Sequence, residues 1–251
     1  MSTAATDISN RTRFSEQEWQ TRVDLAACHR LAARFGFDEI VWNHISARVP
    51  ETDNFLINRF GLRFDEITAS NLVTINQAGE VLDGPKDINV TAYVIHHGIY
   101  AARSDINCVM HSHSRGGLAV SALECGLLPV MQGAFMFHNR VAYHDYEGIS
   151  DDPDESTRLA KSLGEHNAMI LRNHGLITVG STVGQAFVQM FYLEQACKTQ
   201  IDVMSTGAKL ALPDDEIMEH AAQQQRHFAP GKFEWPALLR MLDDTDPSYK
   251  E

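Results

Sequence analysis

The chain is short of basic charge, of cysteine and of long apolar runs, and each shortage closes a class of function. Lys and Arg number 21 against 33 Asp and Glu, a net charge of −12. Such a surface repels phosphate backbones and anionic lipid, so neither nucleic acid nor a membrane is an expected partner. No apolar stretch reaches the roughly 18–20 residues of a transmembrane helix, and the opening MSTAATDISNRTRF has no apolar segment of the signal-peptide kind. A cytoplasmic location is the expectation. The 4 cysteines, Cys28, Cys108, Cys125 and Cys197, form no CxxC pair. In a reducing compartment they read as small buried hydrophobes rather than a disulfide framework. No internal repeat, low-complexity tract or interdomain linker interrupts the 251 residues, and a hydrophobic share of 44% is enough for one folded domain.

Histidine, in contrast, is abundant, with 12 in the chain. A neutral imidazole is a good ligand for zinc and other transition metals, so the question is which rings converge. In Met110-His111-Ser112-His113 two imidazoles stand at i and i+2 at the end of a short apolar run. Extended backbone puts both on one face, a chelating geometry. His174, in ILRNHGLITVG, follows a second apolar run between Asn173 and Gly175, which permit a tight local backbone. Three protein nitrogens and one open position form the pattern of a catalytic zinc site. HxH pairs also arise by chance in a histidine-rich chain, so two unrelated surface turns are the alternative reading of these residues.

The surrounding pattern alternates helix and strand. Ser15 to Phe35 spaces apolar residues for an amphipathic helix, with Ser15 and Glu18 as a capping box and Gly36 as its stop. Short β-rich runs at 40–50, 54–58 and 72–82 read as a meander. A helix over 89–102 leads to a strand at 107–110, and helical patterns follow at 117–123 and 154–163. Strands at 168–171 and 175–179 precede a long helix over 183–204, after which the chain turns polar from Pro213. These elements predict one α/β layered domain over 15–242, with a flexible segment at 1–14 and a mobile tail at 243–251.

The segments HHGIYAARSDINCVMHSHSRGGLAVSAL, ILRNHGLITVG and NHISARV resemble the class II aldolase/adducin family, over about Trp19 to Met204. The resemblance implies a single-domain α/β/α sandwich around a central, mainly antiparallel sheet of the nine-stranded type. It also implies a homotetramer with active sites at subunit interfaces. One divalent metal per chain would sit on His111, His113 and His174, zinc first, with manganese or iron as alternatives. Three departures narrow the activity. The family's sugar-phosphate aldolases carry a Glu four residues before the position of His96, where this chain has Ala92. Their phosphate cradle corresponds to Asn58-Arg59-Phe60-Gly61 and Val90-Thr91, and no Tyr stands near Gln132 or Gly133, where a catalytic one is expected.

Together these departures resemble the adducin-like branch, which includes metal-free cytoskeletal proteins and bacterial members. No basic tail for actin and spectrin is expected, so the bacterial side of the branch is the nearer likeness. The expected function is a divalent-metal-dependent lyase, cleaving a C–C bond by aldol chemistry or decarboxylation in a small non-phosphorylated carbonyl or carboxylate substrate. A non-catalytic adducin-like assembly protein and an Fe(II)-dependent oxygenase or decarboxylase are the alternatives.

Further candidates come from residue chemistry. The planar fork of Arg59 suits a substrate carboxylate, or an ion pair between subunits. Asn43 matches a family amide that binds a substrate oxygen, or caps a turn. In MFHNRVAYHDYEG, the residues His138, Tyr143 and Tyr146 are candidates for the missing acid/base, against a plain polar interface loop. His44 has a structural reading. His96 and His97 brace their helix, with His96 turned inward, and His29, His166, His220 and His227 read as exposed.

Overall fold

The computed structural model describes residues 11–150 and 152–251, so the expectation for residues 1–14 falls largely outside the described residues. The first helix, α1 (Glu16–Phe35), begins where the Ser15 hydroxyl accepts the Glu18 N–H and ends at Gly36, whose φ of 71° is the left-handed stop a glycine allows. Four short strands follow, β1 (His44–Arg48), β2 (Phe55–Ile57), β3 (Val73–Ile75) and β4 (Val81–Asp83), in the expected antiparallel meander. Helix α2 (Val90–Ala102), capped by the Asn89 side chain, returns the chain to β5 (Cys108–Ser112) beside β1. Beyond β5 come α3 (Arg115–Ser121), α4 (Gln132–Phe135), β6 (Val141–His144) and α5 (Pro153–Leu163). The hairpin of β7 (Ala168–Leu171) and β8 (Gly175–Gly180) then leads into α6 (Val183–Ser205).

The strands form one sheet in the order β4-β3-β2-β1-β5-β8-β7-β6. Among the described residues it has eight strands, one fewer than the resemblance implies, and every pairing is antiparallel except β6 with β7. Side chains alternate across β5. Cys108 and Met110 enter an apolar slab with Leu25 and Leu31 of α1 and Phe187 and Leu193 of α6. Val109 enters a second slab with Ile95 and Ile99 of α2 and Leu159 of α5. Strand alternation sends His111 to this second face, the one that α2 covers, and the sandwich has its expected three layers. Helices α2 and α5 touch at Gly98, where a Cβ would stand 2.0 Å from the Ser156 carbonyl oxygen.

The stretch that reads as merely polar from Pro213 forms two more helices, α7 (Asp215–Arg226) and α8 (Glu234–Thr245). Leu242 of α8 joins the first slab. The closing residues, expected to be mobile, are instead held in a short 3-10 turn, Pro247–Lys250. Tyr249 is 1% exposed there, and the carbonyls of Tyr249 and Glu251 accept the Ala69 and Ser70 N–H groups. One aromatic anchor and two backbone bonds account for the difference. No helix among the described residues is long and apolar enough to cross a membrane.

Candidate metal centre

The three predicted imidazoles are brought together by two strand ends. His111 is the last residue but one of β5 and His113 lies just beyond the strand, while His174 sits at the tip of the β7–β8 hairpin. The hairpin tip turns through Asn173 at a φ of 56° and Gly175 at 156°. A Cβ on Gly175 would lie 2.5 Å from the Ser112 carbonyl oxygen, so glycine is what lets the tip close against β5. One ligand nitrogen from each of His111, His113 and His174 lies within 4.8 Å of the other two.

Proton placement at two of these rings follows from their outer neighbours. His111 Nδ1 is 3.0 Å from the Leu176 carbonyl oxygen, and His113 Nδ1 is 2.5 Å from a Glu39 carboxylate oxygen. Both partners only accept, so both Nδ1 atoms carry the hydrogen. The two Nε2 atoms then face each other across 2.9 Å. With both rings neutral, two lone pairs oppose one another, and only a proton or a cation between them relieves it. The third ring also favours the neutral form, since burial pulls His174 down to about 4 and His111 well below the ordinary imidazole value. Neutral imidazoles with converging lone pairs fit a divalent ion.

A second polar row runs from this cluster into the protein. His44 of β1 lies opposite His111 in register, with ring centroids 4.9 Å apart. Its Nδ1 is 2.9 Å from Nε2 of His96, whose Nδ1 meets the Ser46 hydroxyl at 2.5 Å, and Ser46 in turn bonds the Tyr100 hydroxyl. His96 is thus turned inward as expected, with its basicity lowered by burial to about 3, and His44 joins it in a buried network. His29, expected at the surface, is fully buried: its Nδ1 donates to the Leu25 carbonyl and Phe64 packs edge-on against the ring.

The turn after His113 is fixed by Glu194 of α6, which sequence reading missed. Its fully buried carboxylate accepts from the Ser114 hydroxyl and from the Gly116 and Gly117 N–H groups, with Lys198 at 3.3 Å. Glu39 was missed as well. Glu39 lies 74 residues from His113 and Glu194 80 residues from Ser114, so no local spacing signals either contact.

The remaining candidates divide. Asn43 is at the site, buried, with its Oδ1 accepting the His113 backbone N–H at 3.3 Å and its Nδ2 without a partner among the described residues. Tyr146 stands beside His174, ring centroids 6.3 Å apart. Arg59 is exposed and bonds Asp87 at 2.9 Å. Tyr143 and His138 are not brought to the cluster within one chain. The Tyr143 hydroxyl accepts the Leu127 N–H in the first slab, and His138 pairs with Asp215 of α7. Ala92 is fully buried among the apolar residues of α2.

Comparison with known proteins shows the family. Residues 23–201 match the family described as Class II Aldolase and Adducin N-terminal domain. Among solved structures, an aldolase II superfamily protein from Pseudomonas syringae is 46% identical, with a TM-score of 0.89 over 96% of this chain and 99% of that one. An L-fuculose 1-phosphate aldolase from Glaciozyma antarctica is 29% identical, with a TM-score of 0.83 over 93% of each chain. Alpha-adducin of Rattus norvegicus is 37% identical over 94% of this chain, which spans 35% of that longer protein.

Proposed function

Because the chain belongs to the class II aldolase and adducin family, we propose that it is a divalent-metal-dependent lyase acting on a small non-phosphorylated carbonyl or carboxylate compound in the cytoplasm. What supports the reading is the convergence of His111, His113 and His174, with Nε2 of the first two 2.9 Å apart while their Nδ1 atoms are engaged by a carbonyl and a carboxylate. A scaffold has no use for opposed lone pairs, whereas a metal ligand set requires them. His111, His113 and His174 would hold the ion, zinc first, with manganese or iron as alternatives. Bound there, it would supply Lewis-acid stabilisation of the negative charge that C–C cleavage or decarboxylation leaves on a substrate oxygen.

The chain's own residues then bind and orient. The free Nδ2 hydrogens of Asn43, buried beside His113, would donate to a substrate oxygen. Arg59 would hold a carboxylate after leaving Asp87. Tyr146 is the candidate proton carrier that one chain places beside His174. The cleft between His144, Tyr146, Glu155 and His174 has a volume of only about 10 Å³, room for one water. Ile40, Trp42 and Tyr146 meanwhile expose more than half their surface. A second copy covering that rim would supply the missing walls, which supports a homo-oligomer, tetrameric by family resemblance.

The experiment is metal analysis of the purified protein with His113→Ala beside it. The reading expects about one tightly bound divalent ion per chain and its loss in a variant that still folds. A metal-free protein that takes up no ion when supplied with zinc, manganese or iron would instead support the non-catalytic, adducin-like reading that the likeness to alpha-adducin favours.

A further inference from the structure

We propose that Glu39 is the positioning carboxylate of this site, selecting the proton arrangement of His113 that keeps the ligand set open. The proposal rests on the metal-centre reading above and adds a residue to it.

The segment from Phe37 to Asn43 wraps the outgoing end of β5 and is bonded to it three times. The Phe37 carbonyl accepts the Ser112 hydroxyl at 2.7 Å, and Asn43 Oδ1 accepts the His113 N–H at 3.3 Å. Between them, Glu39 reaches His113 Nδ1 at 2.5 Å. Glu39 opens a turn closed by the Trp42 N–H on its own carbonyl at 2.9 Å. The next residue, Ile40, has a φ of 52°, a conformation that suits Gly or Asn and is unfavourable for a β-branched side chain. Its side chain is 69% exposed, so burial offers nothing in return. The strained turn is held by what its neighbours bond, and its product is a carboxylate on the outer nitrogen of His113.

The consequence lies in tautomers. A neutral imidazole carries one hydrogen, on Nδ1 or on Nε2. With Glu39 accepting from Nδ1, the Nε2 lone pair of His113 is free. Without that acceptor, the ring gains by moving the hydrogen to Nε2 and donating it to the bare His111 nitrogen 2.9 Å away. That internal hydrogen bond would occupy two of the three ligands at once. Glu39 also brings a negative charge directly to the outer nitrogen of His113. The helix side has no carboxylate to do the same, since Ala92 stands there. A carboxylate on the outer nitrogen of a ligating histidine raises its basicity, and removal of such a partner typically costs about 10–100-fold in metal affinity.

The test uses the full-length metal-free protein and Co²⁺, followed by its visible absorption, with Zn²⁺ measured by competition. Glu39→Ala is expected to bind about 10–100-fold more weakly than wild type, with unchanged urea stability of the metal-free form. Nitrogen-15 spectra of its imidazoles should show the His113 hydrogen moved from Nδ1 to Nε2. In Glu39→Gln the amide oxygen still accepts, so the tautomer should persist and only the part of the affinity due to charge should be lost. Binding within twofold of wild type by Glu39→Ala, or an unchanged tautomer, overturns the proposal. His111→Ala is the separate control: if it binds Co²⁺ as wild type does, or wild type binds none, the metal reading itself fails.

Discussion

Two polar clusters hang on the same turn after β5, one fully buried and one half-buried, and they are finished differently. Glu194, on the side of the first apolar slab, has four donors around one carboxylate: a hydroxyl, two backbone N–H groups and an ammonium. Across the sheet, His111, His113 and His174 bring three imidazoles to one point, and the outer bonds of His111 and His113 leave their facing nitrogens free to ligate. A polar group buried for stability has its bonding capacity filled, because each unfilled donor or acceptor costs free energy. A group buried for chemistry keeps capacity in reserve. The saturated cluster also positions the open one: Glu194 fixes Ser114, one residue beyond His113, so the rigidity of the ligand set comes from a residue that never touches it.

The sharpest way to break this contrast is to empty the saturated side. Glu194→Ala leaves the hydroxyl of Ser114 and the N–H groups of Gly116 and Gly117 without their acceptor at a buried helix start. It should lower the urea-measured unfolding free energy by about 3–5 kcal/mol, as removal of one partner of a buried charged network does. A loss below about 1 kcal/mol would mean that water replaces the carboxylate and that the cluster is not a structural keystone.

Acid is expected to act on the imidazoles in proportion to their burial. His29 and His96, which ligate nothing in the proposed scheme, are held by burial at about 4 and about 3, below the 6.5 of an unfolded ring. Protonation therefore favours the unfolded chain. The stability these rings permit is complete above about pH 6.5 and declines as the pH falls toward 4, by about 3 kcal/mol for a shift of this size at His29. Unfolding curves at pH 7 and pH 4.5 should show the decline, and His29→Leu should flatten it. An equal slope in that variant would mean that His29 escapes to solvent before it titrates.

Emptying the open side should have the opposite character. His111→Ala removes one of two opposed lone pairs together with one donor to the Leu176 carbonyl, so the metal-free protein should lose less than it does in Glu194→Ala. What disappears is the stabilisation that zinc confers on wild type, about 2.7 kcal/mol at a free concentration one hundred times the dissociation constant. Thermal unfolding with and without zinc reads both. A large loss in the metal-free variant would place the three rings with Glu194, as structural groups.

How much of this was legible follows the range of each signal. The His-Ser-His pair, the Asn-His-Gly tip and the Ser15 cap are written within a few residues, and the fold realises each where the spacing put it. Glu39 and Glu194 bind partners more than 70 residues away, and a lone acidic residue in a turn or on a helix looks like any solvated one. The misreading of His29 and that of the closing residues have one source. Helix α1 buries Trp19, Arg22, Leu25, Ala26, Cys28 and His29 around much of its circumference. The 3-10 turn at Phe64–Glu66 packs on one side and the docked Tyr249 segment near another. A periodicity argument that assumes one solvent face cannot see such covering.

The smallest expected effect discriminates most finely. Arg59 and Asp87 form an ion pair with both side chains at least 40% exposed, and such pairs contribute about 0.5 kcal/mol or less. Arg59→Ala should therefore leave urea stability almost unchanged. If Arg59 anchors a substrate carboxylate, its removal raises KM for a carboxylate substrate with a smaller change in kcat, and Arg59→Lys restores only part, because an ammonium lacks the planar fork. If its role is an ion pair between subunits, Arg59→Ala leaves KM alone and lowers the protein concentration range over which the oligomer survives, which sedimentation reads directly. An unchanged KM with an unchanged oligomer would return Arg59 to the solvated surface, and would leave Asn43 as the residue that supplies substrate contacts beside the histidines.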